Sequence, residues 1–240
     1  MPARAKRFAR HLGFAYTLAM RILLTTHLPL DHRPEGPFVR ALAEALRAAG
    51  HEVRTLVVDD AHPLSVTEHE QRVVCSPTDS NAHLPLARPG FALEAGTQQT
   101  FADLSDEQLN QYHDHLRQVL DAEINAFDPH IVHAQHVWLL GHLALEAGVP
   151  YVVTAWGPEL NMFLADRRYE RIAQEAAENA GRVFICTPGL ETVLRTTFAP
   201  LDTEVVAICP QGEVSRECRD QLLAAYRQVL IDRFGTADRP

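Results

Sequence analysis

From Arg21 onward, short apolar runs alternate with stretches of helical periodicity, a pattern that predicts a parallel sheet with crossover helices. Arg21 to Thr26 reads as the first strand. Phe38 to Ala49 places Val39, Leu42, Ala43 and Leu46 on one stripe of an amphipathic helix, with Gly50 at its C-terminal cap. Glu52 to Val58 reads as a second strand that ends at Asp59 and Asp60. From Ala61 to Thr100 the periodicity is lost among Pro63, Pro77, Pro85, Pro89, Gly90 and Gly96, and only Arg72 to Cys75 reads as a strand. A connection of that length inside a domain is functional or disordered more often than filler, and a plain surface excursion is the alternative.

The pattern resumes at Ser105, where Ser-x-x-Gln through Gln108 forms a capping box that opens a long helix to about Phe127, stopped by Pro129. Ile131 to Ala134 is a strand, Leu139 to Ala147 a helix closed by Gly148, and Tyr151 to Thr154 a strand opened by Pro150. Tyr169 to Ala180 is helical, Arg182 to Cys186 a strand, Leu190 to Thr197 a short helix and Glu204 to Ile208 the last strand. Arg216 to Phe234 carries Leu222, Leu223, Tyr226, Val229, Leu230 and Phe234 on one face, and a stripe that wide must cover something; the sheet is the expected partner.

Composition narrows the function classes. At 240 residues the chain fits one large domain or two small ones. Its net charge of −9 disfavours duplex nucleic acid, whose binding relies on lysine and arginine displacing counterions. Cys75, Cys186, Cys209 and Cys218 form no CxxC pair and read as buried thiols in a reducing cytoplasm. No apolar run approaches the roughly 20 residues that span a bilayer. Residues 1–19 stand apart: Arg4, Lys6, Arg7 and Arg10 are interleaved with Phe8, Leu12, Phe14, Tyr16 and Leu18. They read either as an arm ahead of a folded domain opening at Met20, or as a basic amphipathic helix that touches an anionic membrane surface from the cytoplasmic side.

In open parallel sheets the loops at the carboxyl ends of the strands line the ligand crevice. After the first strand comes His27-Leu28-Pro29-Leu30-Asp31-His32-Arg33-Pro34-Glu35-Gly36-Pro37, where Gly36 ahead of a helix would let backbone approach an anion. The absence of G-x-G-x-x-G and G-x-x-x-x-G-K-[ST] weighs against NAD enzymes and P-loop NTPases, and the absence of G-x-S-x-G against a serine hydrolase. His130, His133 and His136 cannot share one metal ion along an extended strand, because the first two point to opposite faces. His133 and His136 instead read as polar groups at the crevice mouth. His142 reads as a satisfied helix residue, and His113 and His115 as a solvated face. After the next strand, Trp156-Gly157-Pro158-Glu159 offers an aromatic, a flexible glycine and a carboxylate. These are either sugar contacts, or a tryptophan packed under a turn beside a glutamate at a helix start.

Met20-Arg21-Ile22-Leu23-Leu24-Thr25-Thr26-His27, the Gly36 loop, Ala48-Ala49-Gly50-His51-Glu52-Val53, Asp128-Pro129-His130-Ile131-Val132-His133-Ala134-Gln135-His136 and Gly148-Val149-Pro150-Tyr151-Val152-Val153-Thr154 resemble, in this order, the N-terminal domain of family four glycosyltransferases of the GT-B fold. The resemblance covers most of residues 20–214. It implies an α/β fold, a single Rossmann-like doubly wound parallel sheet that binds the acceptor, followed by residues 215–240 as a helix packing back on it. It implies Gly36 and Pro37 near the donor diphosphate and His133 or His136 near the reacting sugar as catalytic groups; His27, Trp156, Gly157 and Glu159 are the expected substrate contacts by their own chemistry and place after the strands. A nucleotide sugar would be the co-substrate, with no cofactor and no metal, and the connection over residues 61–100 would be the place for acceptor selectivity.

Departures accompany the resemblance. Trp156 stands where many relatives have a histidine, and Cys209-Pro210-Gln211-Gly212-Glu213 is similar to the turn that leads into the donor domain, with Glu213 in place of its valine. The donor domain has no counterpart, yet Gln221 to Leu230 looks like the helix that closes such enzymes. The expectation is an acceptor-side half for a sugar or lipid-linked acceptor, completed by a separate donor-domain protein or by a homo-oligomer. The alternative is a non-catalytic sugar- or protein-binding module.

Overall fold

A computed structural model of the chain describes residues 19–31, 35–60, 69–92, 98–208 and 214–235. The basic arm before residue 19 and the turn at Cys209 to Glu213 lie outside them. The main sheet contains β1 (Arg21–Thr26), β2 (Glu52–Asp59), β3 (Glu70–Val74), β6 (Ile131–Gln135), β7 (Tyr151–Ala155), β8 (Val183–Ile185) and β9 (Val205–Ala207). A separate pair of two-residue strands, β4 (Pro89–Gly90) and β5 (Gln99–Thr100), lies within the stretch whose pattern was irregular.

All seven strands of the main sheet are parallel, in the order β3-β2-β1-β6-β7-β8-β9. The chain steps outward from β1 in one direction and then, after β3, crosses to the other side of β1. That reversal opens a crevice at the carboxyl ends of β1 and β6, the position at which doubly wound sheets bind ligands.

Both faces are covered, which is why the strands read as near-continuous apolar runs. Alternate residues of each strand face opposite sides. Ile22, Leu24, Val57, Ile131, Val152 and Phe184 lie beneath α1 (Glu35–Ala48) and the final helix α7 (Arg216–Phe234). Leu23, Leu56, Val132, Ala134, Val153 and Ile185 belong to the other core, together with α2 (Asp106–Phe127), α3 (Leu139–Glu146), α4 (Pro158–Ala165) and α5 (Glu170–Glu178). A further helix, α6 (Gly189–Thr197), precedes β9 and buries Leu194. The expected fold class is the one present. Among the described residues no helix is long and apolar enough to cross a membrane.

The caps follow from residue chemistry. Ser105 accepts from the Gln108 amide while the Gln108 side chain accepts from the Ser105 amide, so the capping box at the start of α2 is formed at both ends. Gly50 ends α1 in the left-handed region, at φ +88°. Ser215 caps α7 by accepting from the Cys218 amide at 3.1 Å. Leu222, Leu223, Tyr226, Val229 and Leu230 of α7 are buried, and that helix lies on the β6–β8 side of the sheet.

Besides β4 and β5, two helices differ from the sequence pattern. Helix α1 begins at Glu35, ahead of the apolar stripe, because Gly36 and Pro37 fall in its first turn, where a missing proline N–H costs no helical hydrogen bond. Helix α4 is short and apolar on most sides, so it carries no helical period; Gly157 at φ +115° and Pro158 in the first turn start it.

Candidate functional site

Three segments meet at the switch point. The loop after β1 supplies His27, the loop after β6 supplies His136, and the loop after β7 with the first turn of α4 supplies Trp156 and Glu159; all four side chains are buried. Across the switch point the His27 and His136 rings lie 6.4 Å apart, and the His136 ring packs 4.2 Å from that of Phe91. His136 also lies 4.0 Å, Nε2 to Oε1, from the carboxylate of Glu35 in the first turn of α1. It sits in the left-handed backbone region at φ +71°, which costs a non-glycine residue about 1–2 kcal/mol. Neighbouring hydrogen bonds hold it there: its amide donates to Thr154 O at 2.8 Å, and the Trp138 amide donates to its carbonyl at 2.9 Å. Backbone strain that the surroundings enforce at a sheet switch point is typical of functional positions.

His27 is fully buried in an aromatic enclosure formed by Phe91, Phe101, Tyr112 and Trp138. Its Nδ1 meets the Tyr112 hydroxyl at 2.8 Å, while its Nε2 has no hydrogen-bond partner among the described residues. Burial pushes its pKa down to about 3, so the ring is neutral. Gln135 Nε2 and Trp138 Nε1 are likewise enclosed without partners among the described residues. Three buried donor or acceptor atoms left open beside one crevice form an unusual concentration, since such groups are normally matched.

His133 lies elsewhere than the crevice mouth. Its position in β6 turns it toward α7, where it is completely buried, with Nδ1 2.6 Å from the Tyr226 hydroxyl and Nε2 2.7 Å from Thr154 Oγ1. Both ring nitrogens are thus engaged, and burial lowers its pKa to about 3. The reason is the two-residue period of a strand: an odd position in β6 shares a face with Ile131 and Gln135, the face that α7 covers.

Trp156 and Glu159 adopt the packed arrangement. The Trp156 ring meets Phe38 edge-on at 5.5 Å, and its indole donates to Gln135 Oε1 at 3.0 Å. Glu159 is fully buried; its carboxylate accepts from the Trp156 amide at 2.8 Å and the Gly157 amide at 2.9 Å. It therefore braces the start of α4, and burial outweighs those hydrogen bonds to raise its pKa to about 7. The positive φ of Gly157 makes that turn possible.

Gly36 is required by packing. A Cβ there would stand 2.3 Å from Pro29 O and 2.5 Å from the Leu30 carbonyl carbon, so the loop after β1 lies directly against the helix. Glu35 already places a buried carboxylate in the first turn of α1, where the helix dipole favours it. A donor phosphate approaching Gly36 and Pro37 would share that terminus with it. His27, His136, Trp156, Gly157 and Gly36 are gathered around the carboxyl ends of β1, β6 and β7, and His133 faces α7. Glu35, Gln135, Phe91 and Trp138 join the crevice without having been singled out by sequence. A carboxylate one residue before Gly36 and an amide one residue before His136 were the signals available.

Two other histidines pair locally, while His115, expected on a solvated face, is half-buried with its ring 5.8 Å from that of His83. His142 Nε2 lies 2.9 Å from Glu175, and His113 pairs with Asp114 at 3.1 Å. Among the described residues no group of three or more His, Cys, Asp or Glu side chains is arranged to hold a metal ion.

These buried groups make stability depend on pH. His27 and His133 take up protons near pH 6.5 when unfolded but only near 3 when folded, so each contributes stability that is lost as pH falls through that window. Glu159 acts in reverse: its carboxyl ionises near 4.5 unfolded and near 7 folded, so its contribution is present at low pH and lost as pH rises from 4.5 to 7. Two histidines outweigh one glutamate on acidification below pH 6, where the melting temperature is expected to fall. Glu159→Gln is expected to gain on the parent chain by roughly 3 kcal/mol between pH 4.5 and 8. Melting curves of both proteins across that range check this, and a difference that stays flat with pH would disprove the assignment.

The fold agrees with what the chain is similar to. Residues 35–212 match the Glycosyl transferase 4-like domain, and the chain belongs to that family. Among solved structures it is similar to a piece of sucrose-phosphate synthase from Thermosynechococcus elongatus whose name carries the segments 27–220 and 406–426. The two share 19% identity at a TM-score of 0.54, over 87% of this chain and 98% of that one. Against sucrose-phosphate synthase itself from the same organism the TM-score is 0.56 at 17% identity, over 79% of this chain and 48% of the other. The chain thus spans about half of that enzyme. No curated protein matches it by sequence. It is a glycosyltransferase-like domain of the GT-B type.

Proposed function

We propose that this domain is the acceptor-side half of a glycosyltransferase, holding a sugar or lipid-linked acceptor in the crevice while a donor domain presents a nucleotide sugar. The observation that carries the proposal is His136, kept in a left-handed backbone beside Glu35 and across from His27 at the point where the strand order reverses. In this reading His136 and His27 receive the acceptor hydroxyl, Trp156 supports the crevice from beneath, and the Gly36 amide, beside Pro37, adds to stabilisation of the departing diphosphate. The nucleotide sugar is a co-substrate, and the domain's own residues bind, orient and exclude water.

Two features support a half that folds by itself. Helix α7 seals the face of β6, β7 and β8 with buried side chains. The similar piece of sucrose-phosphate synthase carries two separated segments of its parent in its name.

Turnover of nucleotide sugars, measured for the chain alone and with a lone donor domain of the same GT-B type, tests the proposal. Transfer is expected only in the mixture, and His136→Ala is expected to lower it about a hundredfold. Full activity of the chain alone, or an unaffected His136→Ala, would refute it. One observation favours a second reading, a non-catalytic binding module: His133 and Glu159 are both committed to internal hydrogen bonds. Acceptor binding with no transfer in any mixture would select it.

A further inference from the structure

A second concave feature lies away from the switch point, beyond the carboxyl ends of β2 and β3. It is a cavity of about 190 Å³ whose lining includes Asp60, Cys75, Ser76, Thr78, Arg88 and Gln98. That is below the roughly 300 Å³ at which small-molecule sites begin, so the cavity suits a chemical group rather than a whole ligand.

Arg88 distinguishes it. Its side chain is only 3% exposed, and neither Nε nor Nη1 has a hydrogen-bond partner among the described residues. The half-exposed Asp60 carboxylate approaches to 3.6 Å from Nε, which is attraction without a hydrogen bond. A buried guanidinium with open N–H groups is costly, and the group that matches it in charge and geometry is an oxyanion accepting two parallel bonds. The rest of the lining is compatible. Ser76 Oγ accepts from the Thr78 and Asp79 amides at 3.4 and 3.2 Å, so its own proton is left to donate. Burial pushes the Cys75 thiol up to about 12, so it adds no competing charge.

The cavity and the crevice share one segment of chain. Three residues after Arg88, the Phe91 ring packs 4.2 Å from that of His136. Three residues of extended chain reach at most about 10 Å between Cα atoms, so one short backbone segment carries both Arg88 and the aromatic ring against His136.

We infer that Arg88 holds an oxyanion, a phosphate or carboxylate group carried by the acceptor, and so selects anionic acceptors. This rests on the acceptor-side reading above, but its test needs no donor. Calorimetry on the full chain would compare glucose 6-phosphate, glucuronate, inorganic phosphate and glucose. At least one of the two anionic sugars is expected to bind more tightly than both inorganic phosphate and glucose. Arg88→Gln is expected to weaken that binding about tenfold or more, the loss of a charge-assisted pair. Asp60→Asn keeps Arg88 in place and removes a nearby negative charge, so it is expected to tighten binding severalfold; it decides the matter if Arg88→Gln does not fold. Failure of both anionic sugars to bind, or affinities that neither substitution changes, would overturn the inference. Inorganic phosphate binding as tightly as the sugars would assign the cavity to free phosphate and overturn its acceptor role. Loss of transfer with anion binding intact would instead count against the proposed function alone.

Discussion

Deleting the chain from Ser215 onward is expected to leave a protein that does not form a stable, soluble fold. Leu222, Leu223, Tyr226, Val229 and Leu230 are buried on the sheet and α1 side, and Val229 closes directly over Gly181. Five side chains at roughly 1.5–3 kcal/mol each come to about 10 kcal/mol, comparable to the whole stability of a domain. The deletion also exposes Ile131, Val152 and Phe184 and leaves the His133 ring without Tyr226. Circular dichroism and size exclusion of the truncated chain check this, and a monomer that melts like the full chain would disprove it. Tyr226→Phe is the graded control: it removes one buried hydroxyl from His133 and is expected to cost about 1–3 kcal/mol.

Gly36→Ala is expected to be the most damaging single-methyl change. The new Cβ would meet three backbone atoms, Pro29 O at 2.3 Å, Leu30 C at 2.5 Å and Leu30 O at 2.7 Å, none of which can rotate aside. Either α1 or the loop carrying His27 must move, at about 3 kcal/mol or more, which corresponds to roughly 10 °C in melting temperature for a chain of this size. Gly50→Ala separates clash from backbone strain, because Gly50 has φ +88° with nothing within 4 Å of a built Cβ; its expected cost is about 1 kcal/mol. Thermal unfolding of the two variants side by side gives the answer, and equal losses would show that packing at residues 29–30 is not the reason for glycine at 36.

Much of the fold was legible because it depends on local patterning. The strand runs, the capping box at Ser105, the cap at Gly50 and the apolar stripe of α7 all register within a few residues, and each appears where the pattern places it. The short helix at Pro158 was not legible, since eight largely apolar residues leave no contrast between faces. The site was legible only in outline. Its loops follow from the rule that ligands bind at strand carboxyl ends, but whether a residue in them faces a ligand or the core depends on packing from distant segments.

His133 and His136 show the division most clearly. The sequence alone established that both belong to one strand and its following loop, that the sheet is parallel and doubly wound, and that a broad apolar helix ends the pattern. It also carried the family, because the order of its short segments is a one-dimensional property. Only the tertiary structure decided that both rings are buried, with Tyr226, 93 residues away in the chain, holding His133 on the α7 side while His136 packs beside Glu35 and Phe91. It likewise decided that Arg88 and Asp60 converge on one cavity. The physical reason is range: periodicity and capping are set by neighbours a few residues apart, whereas burial and charge environment are set by whichever segments the completed fold brings into contact.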